Sequence, residues 1–223
     1  MNQLPINLSI TGKPVIILGG GSVALRKCRT LLDAGAQVTI VAPELCTELQ
    51  ALAAAGALRH LPRPFRAGDL AGALLVFAAT DQPEVNRAVA QEATTAGILA
   101  EITDAPALGA FTSPAVLSRG ELLLAVSTGG RAPALAGVIR RELEERFGPE
   151  YGEAVRVLGA VREKLLTQTA NSSYNKGILK ELAERLPALF AAHALAEIDN
   201  LLQERCGPGF SLADLKAAPE DLP

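Results

Sequence analysis

The chain has 223 residues, 49% of them hydrophobic, 20% charged and only 4% aromatic, a composition that fits one or two globular domains with mainly aliphatic cores. A formal net charge of −3 argues against a general nucleic-acid binder, which needs a basic face, and three scattered cysteines with two histidines offer neither a disulfide framework nor a Cys/His metal site. The N-terminus lacks a basic, apolar leader and no run approaches the ~18 apolar residues of a bilayer span, so the expectation is a cytoplasmic protein without membrane contact.

Residues 15–18 predict a buried strand that Gly19, Gly20 and Gly21 break. Ala24, Cys28, Leu31 and Leu32 follow at helical spacing, and Gly35 closes that helix. Residues 38–41 predict a second strand, with a helix over 43–55; residues 58–61 give a weaker third strand and 74–79 a strong fourth. Asp81-Gln82-Pro83-Glu84 has the form of a helix start, with Asp81 as the cap and a proline in the first turn. Residues 98–102 complete five strands alternating with helices. The fold class is therefore α/β, a Rossmann-like parallel sheet domain over residues 1–113.

After Asp104 the rhythm changes. Residues 115–117 and 122–126 predict two strands around Ser118-Arg119-Gly120, followed by a helix over 133–147 that Gly148-Pro149 stops. The segment 114–148 is apolar and too small to fold alone, which predicts a dimerisation segment. From Tyr151 onward only helices are expected, in an all-α C-terminal domain over 149–223: one with the stripe Val155, Leu158, Val161 and Leu165, then two over 174–186 and 189–204.

Gly19, Gly20, Gly21, Ser22, Val23 and Ala24 fit G-x-G-x-x-A at the first strand–helix junction. Glycines allow the backbone to approach a pyrophosphate, and the helix N-terminus presents unpaired N–H groups to it, so dinucleotide binding is the reading for this turn. The acid that grips the ribose is expected near Ala42; Ala42-Pro43 stands there, and Glu44 reads equally as an early-helix acid. Thr80 and Asp81 after the fourth strand, and Asp104 after the fifth, share the sheet edge where such folds bind ligands. Asp81 is accounted for as a cap, whereas Asp104, before Ala105-Pro106, opens no clear helix. Ser127, Thr128, Gly129 and Gly130 precede a helix and read either as an anion-binding turn or as an ordinary glycine turn with a hydroxyl cap. Arg119 and Arg131, in turns, are candidates for substrate carboxylates; Arg140 and Arg141 read as solvated helix residues.

Taken in order, these motifs resemble the precorrin-2 dehydrogenase/sirohydrochlorin ferrochelatase family, which also forms the N-terminal part of siroheme synthase. The residues that carry the resemblance are Leu4-Pro5-Ile6, the run from Gly19 through Lys27, Leu31-Leu32-Asp33-Ala34-Gly35-Ala36, Ala78-Ala79-Thr80-Asp81 with Asn86, Asp104-Ala105-Pro106, Pro114, Arg119, and Ser127-Thr128-Gly129-Gly130 with Pro133. The resemblance implies NAD as cofactor, precorrin-2 as the tetrapyrrole substrate oxidised to sirohydrochlorin, Fe2+ as a second substrate in many members, and a homodimer. It implies that Asp104 serves the chemistry and that Ser127 lies near the substrate, and it places Glu101 where the family usually has asparagine. The competing reading is an NAD-sensing binding module without catalysis, which accounts for the glycine turn but not for Asp104 or the arginines.

Overall fold

The computed structural model describes residues 3–168 and 172–216. The chain divides into two compact units between Ser113 and Pro114.

The first unit contains β1 (Pro14–Leu18), α1 (Ser22–Asp33), β2 (Gln37–Val41), α2 (Thr47–Ala54), β3 (Arg59–Leu61), β4 (Leu75–Ala78), α3 (Pro83–Ala96) and β5 (Leu99–Ile102). Its five strands form one sheet in the order β3-β2-β1-β4-β5, and every pairing is parallel. The central strands β1 and β4 are apolar on both faces, as a sheet covered on both sides requires. Val15, Ile17, Val38, Ile40 and Phe77 pack with Ala24, Cys28, Leu31 and Leu49 of α1 and α2. Ile16, Leu18, Val76, Ala78 and Ile102 pack with Val89, Ala90 and Ala93 of α3. The two-residue period of the strands thus separates two cores, and each fully buried Val, Leu or Ile contributes about 1.5–3 kcal/mol. Burial in the first core pushes the Cys28 thiol pKa above its ordinary value.

The strand ends align. Leu18 is paired with both Val41 and Ala78, and Ala78 with Ile102. The residues that follow each strand therefore start along one edge, and the strand order reverses between β1 and β4, the place where open α/β sheets hold ligands.

Two expectations are corrected here. The helix expected from residue 43 starts at Thr47, because Leu45 is buried and the Cys46 N–H donates to the Gly20 carbonyl at 2.8 Å, which holds this stretch as a loop against the glycine turn. Glu44 is therefore a loop residue and not part of a helix. At α3 the N-cap is Gln82, without a side-chain cap bond, so Asp81 is not the cap; the Thr80 hydroxyl accepts the Gln82 N–H at 3.2 Å instead.

The second unit opens with the antiparallel hairpin of β6 (Ala115–Arg119) and β7 (Leu122–Val126), in which Leu117 faces Leu124. Among the described residues four helices follow: α4 (Pro133–Arg146), α5 (Glu150–Gln168), α6 (Ser172–Ala191) and α7 (Leu195–Cys206). Val157, Val161 and Leu165 of α5 meet Leu182, Leu186 and Phe190 of α6 and Ile198, Leu201 and Leu202 of α7. The buried stripe of α5 starts at Ala154 and Val157, one residue before the expected Val155 and Leu158. The break expected near residue 187 comes later: α6 runs through Pro187 and ends before His193, whose φ is 51°. A proline inside a helix costs ~3 kcal/mol or more, but the burial of Leu186 and Phe190 on either side anchors both turns. No described helix is long and apolar enough to cross a membrane.

Candidate functional site

The glycine turn is built by two kinds of glycine. Gly19 has φ +109°, and a Cβ on it would meet the Ala79 carbonyl oxygen at 2.4 Å. A Cβ on Gly20 would meet the Glu44 carbonyl oxygen at 2.0 Å. Both positions are thus required by the close approach of the β2–α2 and β4–α3 loops. Gly21 has nothing within 4 Å of such a Cβ. Its φ of −91° suits any residue, so no demand of the fold accounts for glycine there.

Gly21 is also the N-cap of α1 and provides no side-chain cap bond, while the Leu25 N–H takes its carbonyl at 3.0 Å. The N–H groups of Ser22, Val23 and Ala24 belong to the first helical turn, where no intrahelical acceptor exists. An open glycine before an uncapped helix start, on the carboxyl edge of a parallel sheet, fits a dinucleotide pyrophosphate.

Beside this turn, Thr80 and Asp104 are joined by Asn86 of α3, the only buried polar or charged residue among those described, at 1% exposure. The Asn86 Nδ2 donates to the Asp104 Oδ1 at 2.8 Å and to the Thr80 carbonyl at 3.1 Å, and its Oδ1 accepts the Thr80 hydroxyl at 2.8 Å. The Asp104 carboxylate itself is exposed, as is Asp81. Gly19, Thr80 and Asp104 therefore lie on one edge, linked through Ala79 and Asn86. The linking role of Asn86 was not read from the sequence, although a signal was present: it occupies the buried stripe of α3 with Val89, Ala90 and Ala93, where a polar side chain needs partners.

Glu101 has a different place. It accepts Lys27 Nζ at 2.6 Å and both the N–H and the hydroxyl of Ser113, at 2.9 and 2.7 Å. Lys27 also lies over the Phe77 ring, which packs edge-on against Phe111. Glu101 ties β5 to α1 and to the end of the first unit.

In the second unit, Ser127, Thr128, Gly129, Gly130 and Arg131 form a tight turn before α4. Gly129 and Gly130 have φ of +62° and +77°. The Ser127 hydroxyl accepts the Gly129 N–H at 3.2 Å, and the Thr128 hydroxyl accepts the Ala132 N–H at 3.1 Å. Arg131 is exposed. Arg119 turns inward on its own unit: its Nε donates to the Phe147 carbonyl at 2.9 Å, with a longer contact of 3.5 Å to the Glu144 carbonyl, so the guanidinium covers the last carbonyls of α4.

The three cysteines are free, and burial pushes the Cys206 thiol up to about 11. No group of three or more His, Cys, Asp or Glu residues able to hold a metal occurs among the described residues.

Residues 6–115 match a family model described as "Putative NAD(P)-binding", and residues 119–146 match one described as "Sirohaem biosynthesis protein central". Siroheme synthase 3 of Aeromonas hydrophila is 39% identical over 227 residues, covering 99% of this chain and 48% of that protein. The siroheme synthase of Methylobacillus flagellatus is 43% identical over 163 residues, covering 73% of this chain and 35% of its own length. The chain thus spans about half the length, or less, of these curated relatives. Among solved structures, that of SirC, precorrin-2 dehydrogenase, superposes with a TM-score of 0.74 at 27% identity, covering 91% of this chain and 98% of that one. Similarity in sequence along nearly the whole chain, the two family models and the shared architecture converge: the chain is related in sequence to the siroheme synthases and shares the fold of a precorrin-2 dehydrogenase.

Proposed function

We propose that the protein oxidises precorrin-2 to sirohydrochlorin with NAD, on the carboxyl edge of the parallel sheet. The observation that carries this reading is the juxtaposition on one edge of an open glycine turn and a carboxylate held by a buried amide. When bound, the nicotinamide supplies the hydride acceptor. Gly21 leaves room for the pyrophosphate, and the first-turn N–H groups of Ser22, Val23 and Ala24 bind it. Thr80 and Asp81 border the cofactor. Asp104 takes the proton that leaves the macrocycle as its hydride departs. In the second unit, the turn of Ser127, Thr128, Gly129 and Gly130, together with Arg119 and the exposed Arg131, is assigned to substrate carboxylates. Insertion of Fe2+ belongs to the same proposal: the pyrrole N–H protons need a base, and the macrocycle nitrogens supply the ligands. The three free thiols support a cytoplasmic setting.

A homodimer is part of this reading. In the hairpin, Val116, Ser118, Leu123 and Ala125 share one exposed face, and Leu135 and Val138 of α4 are exposed as well. A two-stranded sheet is marginal alone, and a second copy would cover this apolar face. Sedimentation of the full chain is expected to give a dimer; a monomer at all concentrations would remove this part of the proposal.

The central test is NADH formation on adding precorrin-2, followed at 340 nm, with siroheme formation from Fe2+ assayed separately. Wild-type protein is expected to produce NADH, and Asp104→Ala to lose about 100-fold or more in kcat with NAD affinity retained. Binding of NAD without any NADH formation would favour the sensing module. An Asp104→Ala variant at the wild-type rate would refute the role of the carboxylate.

A further inference from the structure

We propose that Asn86 is a positioning residue that locks Asp104 to the nucleotide-side loop, so that the carboxylate meets substrate in one orientation. This rests on the reading of Asp104 as the proton acceptor.

The amide of Asn86 has two N–H hydrogens, and both are used, one on the Asp104 Oδ1 at 2.8 Å and one on the Thr80 carbonyl at 3.1 Å. Its oxygen accepts the Thr80 hydroxyl at 2.8 Å. Rotating the amide by half a turn would put its oxygen against a carboxylate and a carbonyl, two acceptors, so the chemistry of the partners fixes the orientation. The donor sits on a helix and is 1% exposed, while the acceptor sits on an exposed loop end. A rigid, desolvated donor therefore restrains a side chain that solvent would otherwise let turn, and such bonds gain strength away from water. Thr80 also holds its own loop by accepting the Gln82 N–H at 3.2 Å. The nucleotide-side loop thus keeps an anchor when Asn86 is replaced, whereas the hydrogen bond to Asp104 Oδ1 is lost.

A double-mutant cycle on the full chain tests this. Asn86→Leu keeps the size and removes the donor. Its kcat is expected to fall by ~10–100-fold, the scale on which misplacement of a reacting group acts, with the NAD dissociation constant within about threefold of wild type. In the Asp104→Ala background, Asn86→Leu is expected to cost nothing further, because there is no carboxylate left to position. Penalties that multiply would show a general structural role and overturn the proposal, as would a wild-type kcat in Asn86→Leu. Loss of NAD affinity in parallel with kcat would also overturn it, by assigning Asn86 to the cofactor loop alone. A wild-type rate in Asp104→Ala alone is a separate result: the reading of Asp104 fails, and the positioning role falls with it. If Asn86→Leu does not fold, Asn86→Asp takes its place in the cycle; it keeps the shape, sets two carboxylates against each other, and is expected to lower kcat without a further loss beside Asp104→Ala.

Discussion

The sheet edge of the first unit and the turn before α4 in the second both gather residues singled out from the sequence, and they do so in different ways. On the sheet edge the residues are joined to each other across elements. Gly19 touches the β4–α3 loop, Gly20 the β2–α2 loop, and Asn86 spans Thr80 and Asp104. In the second unit the hydroxyls bond back to their own turn, Ser127 to Gly129 and Thr128 to Ala132, and Arg119 of β6 braces the end of α4 and joins none of the other candidate residues. The first arrangement fixes functional groups relative to one another before any ligand arrives, which is where catalytic advantage originates. The second stabilises a turn and a helix end, and Arg131 stays exposed.

The sharpest way to break this contrast lies within the glycine turn. Gly20→Val puts side-chain carbon where the Glu44 carbonyl stands, and backbone lines both sides of the clash. The expected outcome is destabilisation of about 4 kcal/mol or more, read as loss of the folded protein in thermal unfolding. Gly21→Leu enters open space. Its melting temperature should stay within about 2 °C of wild type, while NAD affinity in titration calorimetry falls at least about tenfold. If Gly21→Leu binds NAD normally, the turn is only a structural device and the edge loses its cofactor.

Much of this division could be read from the residues, and the shortfall has physical causes. The apolar β-branched runs at 15–18 and 38–41 predict buried strands because a parallel sheet covered on both faces leaves them no other place. Asp104 could be singled out because it opens no helix. α2 starts four residues later than the local signal because Leu45 and Cys46 look helical locally, yet Cys46 is held by Gly20, about 25 residues earlier in the chain. α6 ends later than its sequence suggests because Pro187 is a strong local breaker, and only the tertiary burial of Leu186 and Phe190 outweighs it. The acceptors of Arg119 lie 25 and 28 residues away, at the end of α4, and nothing local to residue 119 announces them. In each case a long-range contact overrides a local signal.

Arg119 also provides the finer test of the contrast, with a smaller expected effect. Its planar guanidinium sends Nε to the Phe147 carbonyl at 2.9 Å, while another nitrogen donates to the Ser118 carbonyl at 3.2 Å. Removing a charged donor from helix-end carbonyls costs about 1–3 kcal/mol, so Arg119→Ala is expected to melt several degrees below wild type. Arg119→Lys separates geometry from charge. A lysine ammonium keeps the favourable interaction with the helix C-terminus, worth about 0.3–1 kcal/mol, but cannot reproduce the fork. If the clamp is what matters, lysine recovers only a minor part of the lost stability. If the positive charge alone matters, lysine restores most of it, and the loss in Arg119→Ala shrinks in high salt. Kinetics then decide whether the residue also reaches substrate: a clamp lowers stability without raising KM for the tetrapyrrole, whereas a carboxylate ligand raises KM in both variants. Unchanged melting together with a raised KM would reverse the contrast, because Arg119 would then belong to the substrate and not to the end of α4.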